Sequence, residues 1–415
     1  MEFKKYKIEE IGTVVGGGTP STKNDNYYGG NISWITPKDL SNYSNRYIYH
    51  GERNITEEGL NNSSAKLVPT DTILMTSRAP IGYLALAGKK VATNQGFKSI
   101  ICNEEIVSPK YLYYLLQNKM DNIKSLGTGS TFSEISGKVV KNIEVSLPNL
   151  LNQKRVEKVL DSIDEKIELN QKIIANLEEL SQTLFKRWFV DFEFPDENGN
   201  PYKSSGGEMV DSELRMIPKG WEILELGKIT EIIMGQSPKS DTYNTQNEGL
   251  PLLNGAADFK NRNLKATKYT TDPKKRGQIG DYVFGVRATV GLVTELDRDY
   301  AIGRGAAVAR IESTYKEWLY EILVKSFQYF ENSISGSVYI NISSNDLKNY
   351  KVIYPSTEII HKYHEKLVSI FDLVKSVKLE IKHLTQLRDT LLPKLMSGEI
   401  EIPDDIEVNE DELSI

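Results

Sequence analysis

The chain has 415 residues, which is enough for two or three domains that each bury a core. Its composition, with 39% hydrophobic and 26% charged residues and no apolar run near the roughly 18 residues of a membrane span, is typical of a globular protein and excludes a membrane-spanning one. The net charge of −6 does not exclude nucleic acid, since residues 1–148 (17 Lys and Arg against 14 Asp and Glu) and residues 219–355 (18 against 16) are slightly basic.

Cysteine usage and the N-terminus bear on the compartment. Cys102 is the single cysteine, so the chain cannot rely on a disulfide framework. The N-terminal sequence MEFKKYKIEE lacks the apolar core of a signal peptide. Both features predict a cytoplasmic protein.

The sequence contains an internal repeat. Residues 71–188 have a degenerate second copy at residues 281–395, in which DTILMTSRAPIG (71–82) corresponds to DYVFGVRATVG (281–291), one residue shorter. Each copy consists of a globular unit followed by a long helix. A repeated arrangement of this kind suits a linear target with two parts, and DNA is the first candidate.

The predicted elements of the two globular units are alike. Short apolar runs bounded by Gly, Pro, Asn and Asp predict strands, and apolar residues at three- and four-residue spacing predict one short helix in each unit. In chain order these are strands Thr72–Met75 and Leu84–Ala87, helix Pro109–Lys119, strand Ile143–Leu147, strands Tyr282–Val286 and Ala306–Ile311, and helix Tyr315–Phe327.

Each unit is followed by a long helix with a heptad pattern. The second series repeats the first with an offset of 207 residues. Such a pattern predicts a coiled coil, and the path of the chain requires two helices that pack on each other to be antiparallel. Two independent amphipathic helices on separate cores are the alternative. The heptad positions are Val156, Leu160, Ile163, Ile167, Asn170, Ile174, Leu177, Ser181, Leu184 and Trp188, then Tyr363, Leu367, Ile370, Val374, Val377, Ile381, Leu384, Arg388, Leu391 and Leu395.

Asn170 is a polar residue in the first heptad series, and its repeat equivalent is Val377. Two interpretations stay open. A lone polar residue in such a seam often fixes the register of the helices. It can equally be a tolerated residue that faces water.

The sequence therefore predicts an α+β protein with two tandem globular units joined by a long antiparallel two-helix coiled coil and related by a pseudo-two-fold internal repeat. Helices of ~40 residues span roughly 60 Å, so the units are expected at opposite ends. Pro393 is expected to end or kink the second helix. The predicted boundaries are unit one 1–148, helix one 149–190, a surface connector 191–220, unit two 221–355, helix two 356–396, and a partly disordered acidic tail 397–415.

The chain lacks a recognisable catalytic constellation. It has no GxxxxGK[ST] nucleotide-binding loop and no [NDS]PP[YFW] tetrapeptide of the kind that amino-methyltransferases use. His361 and His364 share a helix face, but without a third ligand they do not predict a metal site. Cys102 has no identifiable base. The chain is predicted to bind and not to catalyse.

Several loops carry the residue types that read DNA. Arg, Lys, Asn and Gln contact base edges, while Ser, Thr and backbone amides hold phosphates. The candidates in unit one are Thr19, Ser21, Lys23, Lys38, Arg78, Asn94, Gln95, Lys98, Thr128, Ser130 and Thr131. Those in unit two are Gln236, Ser237, Lys239, Asn254, Lys260, Arg262, Lys265, Lys268, Arg287, Arg304 and Ser337.

Alternatives accompany these candidates. The basic stretch from Lys260 to Arg276 is either a DNA-binding loop or a solvated surface loop, and the Gly-Ser pairs at 129–130 and 336–337 are equally explained as plain turns. Arg78 and Arg287 recur in both copies, which favours a shared role, either as phosphate anchors or in internal ion pairs. Positions that differ, such as Gln95 against Arg304, are better candidates for reading different bases.

A set of short motifs is spread along the whole chain. They are GGTPS (17–21), WITPKDL (34–40), LP (147–148) before QKRV (153–156), LFKRWF (184–189), IPKGW (217–221) and LLPKLMSGEI (391–400). In these motifs the chain resembles the specificity subunit of type I restriction-modification enzymes over essentially its whole length. The departures are Asn152, where the family usually has Glu, and GQSP at 235–238 in place of the Gly-Thr-Pro form.

The resemblance implies two target-recognition domains that each read half of a bipartite, asymmetric DNA site, with the coiled coil setting the spacer between the halves. It implies two modification subunits docked on the helices, which methylate adenine N6 with S-adenosylmethionine, and restriction subunits that translocate DNA using ATP and Mg. This chain itself is expected to bind no cofactor. Two alternatives remain: the recognition subunit of a restriction class with a fused methylase-nuclease, and a scaffold whose heads bind protein or glycan without salt-dependent DNA affinity.

Overall fold

A computed structural model describes residues 2–41, 43–128, 133–262, 264–287, 290–333, 341–403 and 406. The chain forms two compact units, Met1–Lys172 with Lys378–Ile415, and Ile173–Val377. Each unit therefore contains one globular head and a part of each long helix. Within the described residues, no helix is both long and apolar enough to cross a bilayer.

In the head of the first unit, the first and last strands pair with each other, and there is one main helix, α3. Ser108 and Pro109 start α3 at positions that favour a helix N-terminus. The elements are β1 Lys4–Lys7, α1 Ile8–Ile11, β2 Gly12–Gly16, β3 Tyr28–Ile35, β4 Tyr47–Ile48, β5 Arg53–Ile55, α2 Glu57–Asn61, β6 Leu67–Val68, β7 Ile73–Ser77, β8 Ile81–Ala87, β9 Val91–Thr93, β10 Lys98–Cys102, α3 Pro109–Asn118, α4 Met120–Ser125, α5 Gly137–Lys141 and β11 Glu144–Leu147.

The first long helix and the second head follow. The elements are α6 Leu150–Phe185, continued by a π-helical turn Lys186–Val190, then β12 Met209–Val210, β13 Ile217–Pro218, β14 Glu222–Glu225, α7 Leu226–Ile229, β15 Glu231–Met234, β16 Tyr243–Asn244, β17 Leu250–Leu253, β18 Lys268–Thr270, β19 Arg276–Gly277, β20 Tyr282–Gly285, β21 Gly291–Glu295, β22 Tyr300–Ile302, β23 Ala306–Arg310, α8 Lys316–Ser333, α9 Ser344–Lys348, β24 Lys351–Tyr354 and α10 Thr357–Ser397.

The strand orders of the two heads correspond. One sheet has the order β2-β10-β7-β8-β4 in the first head and β15-β23-β20-β21 in the second. The other has the order β5-β3-β9-β6 in the first head and β16-β18-β17-β22-β19 in the second, with a parallel central pair in each. In these two sheets the predicted repeat is thus a repeat of topology. The first head has one additional strand, β4, and the second head has another, β16.

The predicted elements agree with the structure apart from their bounds and number. Strands occur at all five predicted sites, and the predicted helices correspond to α3 and to α8, which extends to Ser333. The second sheet of each head and four further short helices in the first head had no prediction, because their strands and turns are too short to show a period.

The long helices pack in antiparallel orientation within each unit. In the first unit Arg388 donates to Asp164 at 2.9 Å and Asn170 donates to Glu380 at 2.9 Å, so residues later in α10 meet earlier residues of α6. In the second unit Tyr363, near the start of α10, packs on Phe189 after α6, with ring centroids 4.8 Å apart. Every predicted heptad position is buried or half-buried, which confirms the coiled coil.

The ends of the long helices belong to the cores of the heads. In the first unit Leu160 and Leu395 share a core with Leu112 of α3 and Ile100 of β10. In the second unit Tyr363 and Leu367 share a core with Trp318 and Phe284. Gln153 links helix and head, since its amide accepts from the Ser108 amide at 3.0 Å and donates to two carbonyls.

The connector and the second helix depart from their predictions. The connector does not lie only on the surface, because Phe192 and Phe194 are buried against Trp221, with the Phe194 and Trp221 rings stacked at 5.0 Å. Helix α10 runs from Thr357 to Ser397, close to the predicted bounds 356–396, so Pro393 does not end it. Of the acidic tail, residues 404, 405 and 407–415 lie outside the described residues, and so does the prediction of disorder for them.

Candidate nucleic-acid interface

The predicted loops of the first head are joined by backbone hydrogen bonds. The loop after β2 bonds the end of β9, the loop after β9 bonds β3 and β7, and β7 bonds the chain before α5. The bonds are Gly18 N to Thr93 O (2.8 Å), Asn94 N to Ile35 O (3.0 Å), Ser77 N to Gly96 O (2.7 Å) and Ile135 N to Ser77 O (2.9 Å). Loops that lie far apart in sequence therefore form one continuous surface.

The second head repeats these four bonds at equivalent places. They are Gln236 N to Ile302 O (2.9 Å), Gly303 N to Leu253 O (2.8 Å), Val286 N to Gly305 O (3.1 Å) and Ile342 N to Val286 O (3.0 Å). The same backbone scaffold thus presents the loops in both heads, while the side chains on it differ.

Glycine makes this close approach of loops feasible. A Cβ on Gly17 would lie 2.0 Å from the carbonyl oxygen of Asn94, and a Cβ on Gly235 would lie 2.0 Å from that of Gly303. Both contacts are with backbone, which cannot move aside without breaking the neighbouring loop bond. These two glycines are required by the close packing of the loops, and the search for polar side chains did not single them out.

Two aspartates hold another loop of the interface and were also missed. Asp39 accepts from the Thr36 amide at 2.7 Å, and Asp258 accepts from the Asn254 amide at 2.7 Å. The carboxylate follows the amide by three residues in one head and four in the other, the local spacing at which an Asp side chain caps a turn. That spacing is visible in the sequence.

The polar candidates of the first head fall into two groups. Ser21, Lys23, Lys38, Gln95 and Thr128 are exposed. Others are engaged within the surface: the Asn94 carbonyl accepts from the Gly96 amide at 2.9 Å, Thr19 bonds Gln95, and Lys98 is 18% exposed with Glu134 at 3.9 Å. Lys38 also pairs with Glu52 at 2.6 Å, but both side chains are mostly exposed, so water and salt screen that pair.

In the second head the described candidates are mostly exposed. Lys268, in the middle of the basic stretch, lies over the ring of Tyr243 with its Nζ 5.9 Å from the ring centroid. The exposed residues are Gln236, Lys239, Asn254, Lys265, Lys268, Arg287 and Arg304, and Ser237 is half-buried. The side chains of Lys260 and Arg262 lie outside the described residues, as do Ser130, Thr131 and Ser337.

Arg78 and Arg287 occupy equivalent positions with different surroundings. Each forms an isolated β-bridge, Arg78 to Glu134 and Arg287 to Asn341. The two bridge partners are themselves repeat equivalents. The Arg78 guanidinium lies 3.6 Å from the Glu134 carboxylate. Arg287 is exposed, and the described residues place no carboxylate at ion-pair distance from it. Of the two roles predicted for this pair, the internal ion pair applies to the first head.

The described part of the chain contains no cluster of three or more His, Cys, Asp and Glu side chains that could hold a metal ion. His364, one of the two histidines considered for such a site, instead lies 2.7 Å from Glu317. Burial raises the pKa of the Cys102 thiol to about 12, which keeps it protonated and unreactive as a nucleophile.

Comparisons with known proteins agree with this geometry. The family model described as type I restriction modification DNA specificity domain matches residues 1–179 and 218–388. The MjaIX specificity subunit of Methanocaldococcus jannaschii is 34% identical, with 95% of this chain and 93% of the relative covered. The HindI specificity subunit of Haemophilus influenzae is 26% identical over 73% of this chain and 80% of its own length.

A solved structure supports the fold. The specificity subunit of the type I restriction-modification system from M. genitalium matches with a TM-score of 0.56 at 17% sequence identity, and 95% of this chain and 96% of that chain are covered. The two family regions coincide with the two repeats and their long helices. This chain belongs to the type I restriction-modification DNA specificity family, and it is the non-catalytic subunit that confers DNA sequence specificity on a complex with other subunits.

Proposed function

We propose that the two heads read the two halves of one asymmetric, bipartite DNA site and thereby direct adenine-N6 methylation and restriction by partner subunits. The observation that carries the proposal is the shared loop scaffold. The same four backbone bonds hold the loops in both heads, but Gln95 in one head corresponds to Arg304 in the other, and both are exposed. One scaffold with different side chains reads different base edges.

The exposed residues divide by the chemistry that they offer. Gln and Asn suit adenine, and Arg and Lys suit guanine, through two hydrogen bonds in the major groove. Lys23, Lys239 and Lys265 are exposed cations and suit phosphates, which position the heads without reading sequence. Arg287 is assigned to a phosphate contact, because its side chain is exposed and its backbone position is the same in both heads.

Leucines on the outer faces of the long helices support docking of two modification subunits. Leu180 in the second unit and Leu387 in the first are repeat equivalents, and they are 51% and 47% exposed. Exposed leucines at matching positions offer the same apolar contact twice. Two copies of one partner fit this arrangement better than two different partners.

The cofactors of the reaction belong to those partners in this proposal. S-adenosylmethionine would serve the modification subunits, and ATP with Mg would serve the restriction subunits. This chain would contribute binding and position: the loop surfaces select the DNA, and the helices hold the catalytic partners near the two adenines.

The test is co-expression of the chain with its cognate modification subunit, followed by genome-wide mapping of N6-methyladenine. The expected result is methylation at one asymmetric bipartite motif. Modification subunit expressed alone is the control and should leave no motif. A Gln95→Ala variant should relax one half of the motif only. A palindromic motif, or relaxation of both halves, would contradict the assignment of one half-site to each head.

A further inference from the structure

Beside the shared apolar cores, charged and polar side chains also join each head to the long helices, and the sign of their charges is reversed between the two copies. In the first unit, the cations lie on the head. Lys110 of α3 lies 2.5 Å from Asp161 and 3.9 Å from Glu157 of α6. Arg46, before β4, pairs with Asp161 and, at 3.1 Å, with Glu168; its side chain is 7% exposed. The anions lie on the helix.

In the second unit, the anions lie on the head. Glu317 of α8 is the repeat equivalent of Lys110, and His364 of α10 is the equivalent of Glu157. The two are 2.7 Å apart. An ionised carboxylate can only accept a hydrogen bond, so the Nδ1 atom of His364 donates. At equivalent positions, the acidic residue therefore lies on the long helix in the first unit and on the head in the second.

The second contact of each head reverses in the same way. Lys375 of α10 is the repeat equivalent of Glu168, and it lies 3.0 Å from Glu295 on the head. Glu295 ends β21, the strand that corresponds to β8 in sheet order. In the first head, Arg46 precedes β4, which pairs with β8 at Leu86. Arg46 and Glu295 thus occupy the same edge of the same sheet with opposite charge.

A third contact involves the other long helix. In the first unit Asp164 accepts from Arg388 at 2.9 Å and from Tyr114 at 2.8 Å. The repeat equivalents of Tyr114 and Arg388 are Glu321 and Ser181, and Ser181 donates to Glu321 at 2.7 Å. Here too the acidic residue lies on the long helix in the first unit and on the head in the second.

Exchange of the heads would bring like charges together. Glu317 would face the acidic residues 157 and 161, and Arg46 would face Lys375. Most of these side chains are buried or half-buried, where water screens charges weakly. Lys110 and Arg46 would also lose their carboxylate partners on α6. Glu157 would keep Lys154 of its own helix, and Glu295 would keep Lys316 of its own head. The contacts therefore discriminate between the heads by repulsion as well as by attraction.

We propose that this reversed polarity assigns each head to its own place on the long helices, so that the order of the two heads in this chain cannot be exchanged. The surface concerned is the face of each head that carries α3 or α8. These contacts hold each head on its own helices, whatever the heads bind.

The direct experiment uses the full-length chain with the segments Lys4–Leu147 and Glu222–Tyr354 exchanged. We expect its thermal midpoint to fall by at least 10 °C. A second chain carries the same exchange and also exchanges helix positions 157, 161, 164 and 168 with 364, 368, 371 and 375, and 181 with 388. We expect it to regain most of the lost midpoint. An exchanged chain as stable as the parent, or no recovery in the second chain, overturns the proposal.

Point variants test the same proposal in a chain whose two heads keep their natural order. Glu168→Lys, which installs the residue type of the second copy, should lower the folded-to-unfolded ratio at least tenfold, because it places a cation beside Arg46. Arg46→Glu combined with Asp161→Val and Glu168→Lys should recover most of that loss. Val is the residue at the equivalent position 368, and it removes the carboxylate that the new glutamate would otherwise meet. Glu165→Lys is the matched control, since Glu165 is exposed on the same helix. Equal stability of the Glu168 and Glu165 variants overturns the proposal, and so does a triple variant no more stable than the single Glu168→Lys variant.

Discussion

The Asn170 side-chain amide donates to Glu380 at 2.9 Å, across the antiparallel helix pair of the first unit. Asn170 is 1% exposed, so it does not face water. Its repeat equivalent, Val377, is buried as well. Of the two interpretations that the sequence left open, the structure supports the one in which a polar residue within the seam pairs with a specific partner on the opposite helix.

Asn170→Val should raise the free energy of unfolding by about 1 kcal/mol. No described group donates to the Asn170 carbonyl oxygen, and a buried polar atom without a partner costs about 1–3 kcal/mol. Glu380, which loses the amide, is 44% exposed and still has Lys166 at 3.4 Å. Denaturant unfolding of the two chains measures the difference. A clear loss of stability would show that the pair stabilises the helices as well as specifying their partner.

Arg287→Ala should weaken binding to all DNA sequences alike and reduce the dependence of log affinity on log salt by about one phosphate contact. The reason is that Arg287 is exposed and the described residues offer it no carboxylate. Arg78→Ala is the matched variant and should have a smaller effect, because the Arg78 guanidinium already has a carboxylate, that of Glu134, at 3.6 Å. Affinity should be measured for the assembled complex at several salt concentrations. A loss restricted to cognate DNA would assign Arg287 to base reading.

Gly17→Ala should destabilise the first head by about 1–3 kcal/mol, the usual cost of overpacking. The new Cβ would meet the carbonyl oxygens of Asn94 and Thr93 at 2.0 and 2.4 Å. Gly16→Ala is the control at the adjacent position, since its Cβ would have no neighbour within 4 Å. Thermal unfolding of both variants measures the contrast, and similar midpoints would refute the steric argument.

Insertion of one heptad into both long helices should lengthen the spacer of the DNA motif. Seven residues after Lys172 and seven after Val377 keep the heptad phase and the register that Asn170 and Glu380 define. They add about 10 Å at 1.5 Å per residue, which is about three base pairs at 3.4 Å each. Methylation mapping reads the spacer directly. An insertion in one helix only should break the register and abolish methylation, whereas an unchanged spacer in the double insertion would refute the spacer role.

Cys102 should resist alkylation by iodoacetamide at pH 8 in the folded protein. Burial raises the pKa of its thiol to about 12, so only about one molecule in ten thousand carries the thiolate at that pH. The same protein in denaturant should react at the rate of an ordinary thiol. Mass spectrometry of timed samples measures both rates. Rapid alkylation of the native protein would show that the thiol is accessible and ionised.

The sequence alone predicted the elements that have a local signal. The heptad positions of both helices, α3 with Pro109 at its start, and the repeat itself follow from spacing within a single stretch of chain. Each position in these patterns carries information about its own burial, because the period of a helix or strand decides which face it shows. The candidate DNA-binding loops were proposed in the same way, from polar residues between such elements.

The sequence did not indicate which residues that are distant along the chain contact each other. No spacing indicates that Arg46 meets Glu168, that Arg78 meets Glu134 while Arg287 meets Asn341, or that Phe194 of the connector stacks on Trp221. The short strands of the second sheets likewise form only because β3 and β9 find each other across more than fifty residues.

The sequence by itself therefore determined the plan of this protein: two copies of a globular unit, each with a long heptad helix and without a catalytic constellation. Only the tertiary structure decided which loops form one surface and which charges face each other across the head–helix contacts. The physical reason is that periodicity is written along the chain, whereas hydrogen bonds and ion pairs depend on distances that the folded chain alone sets.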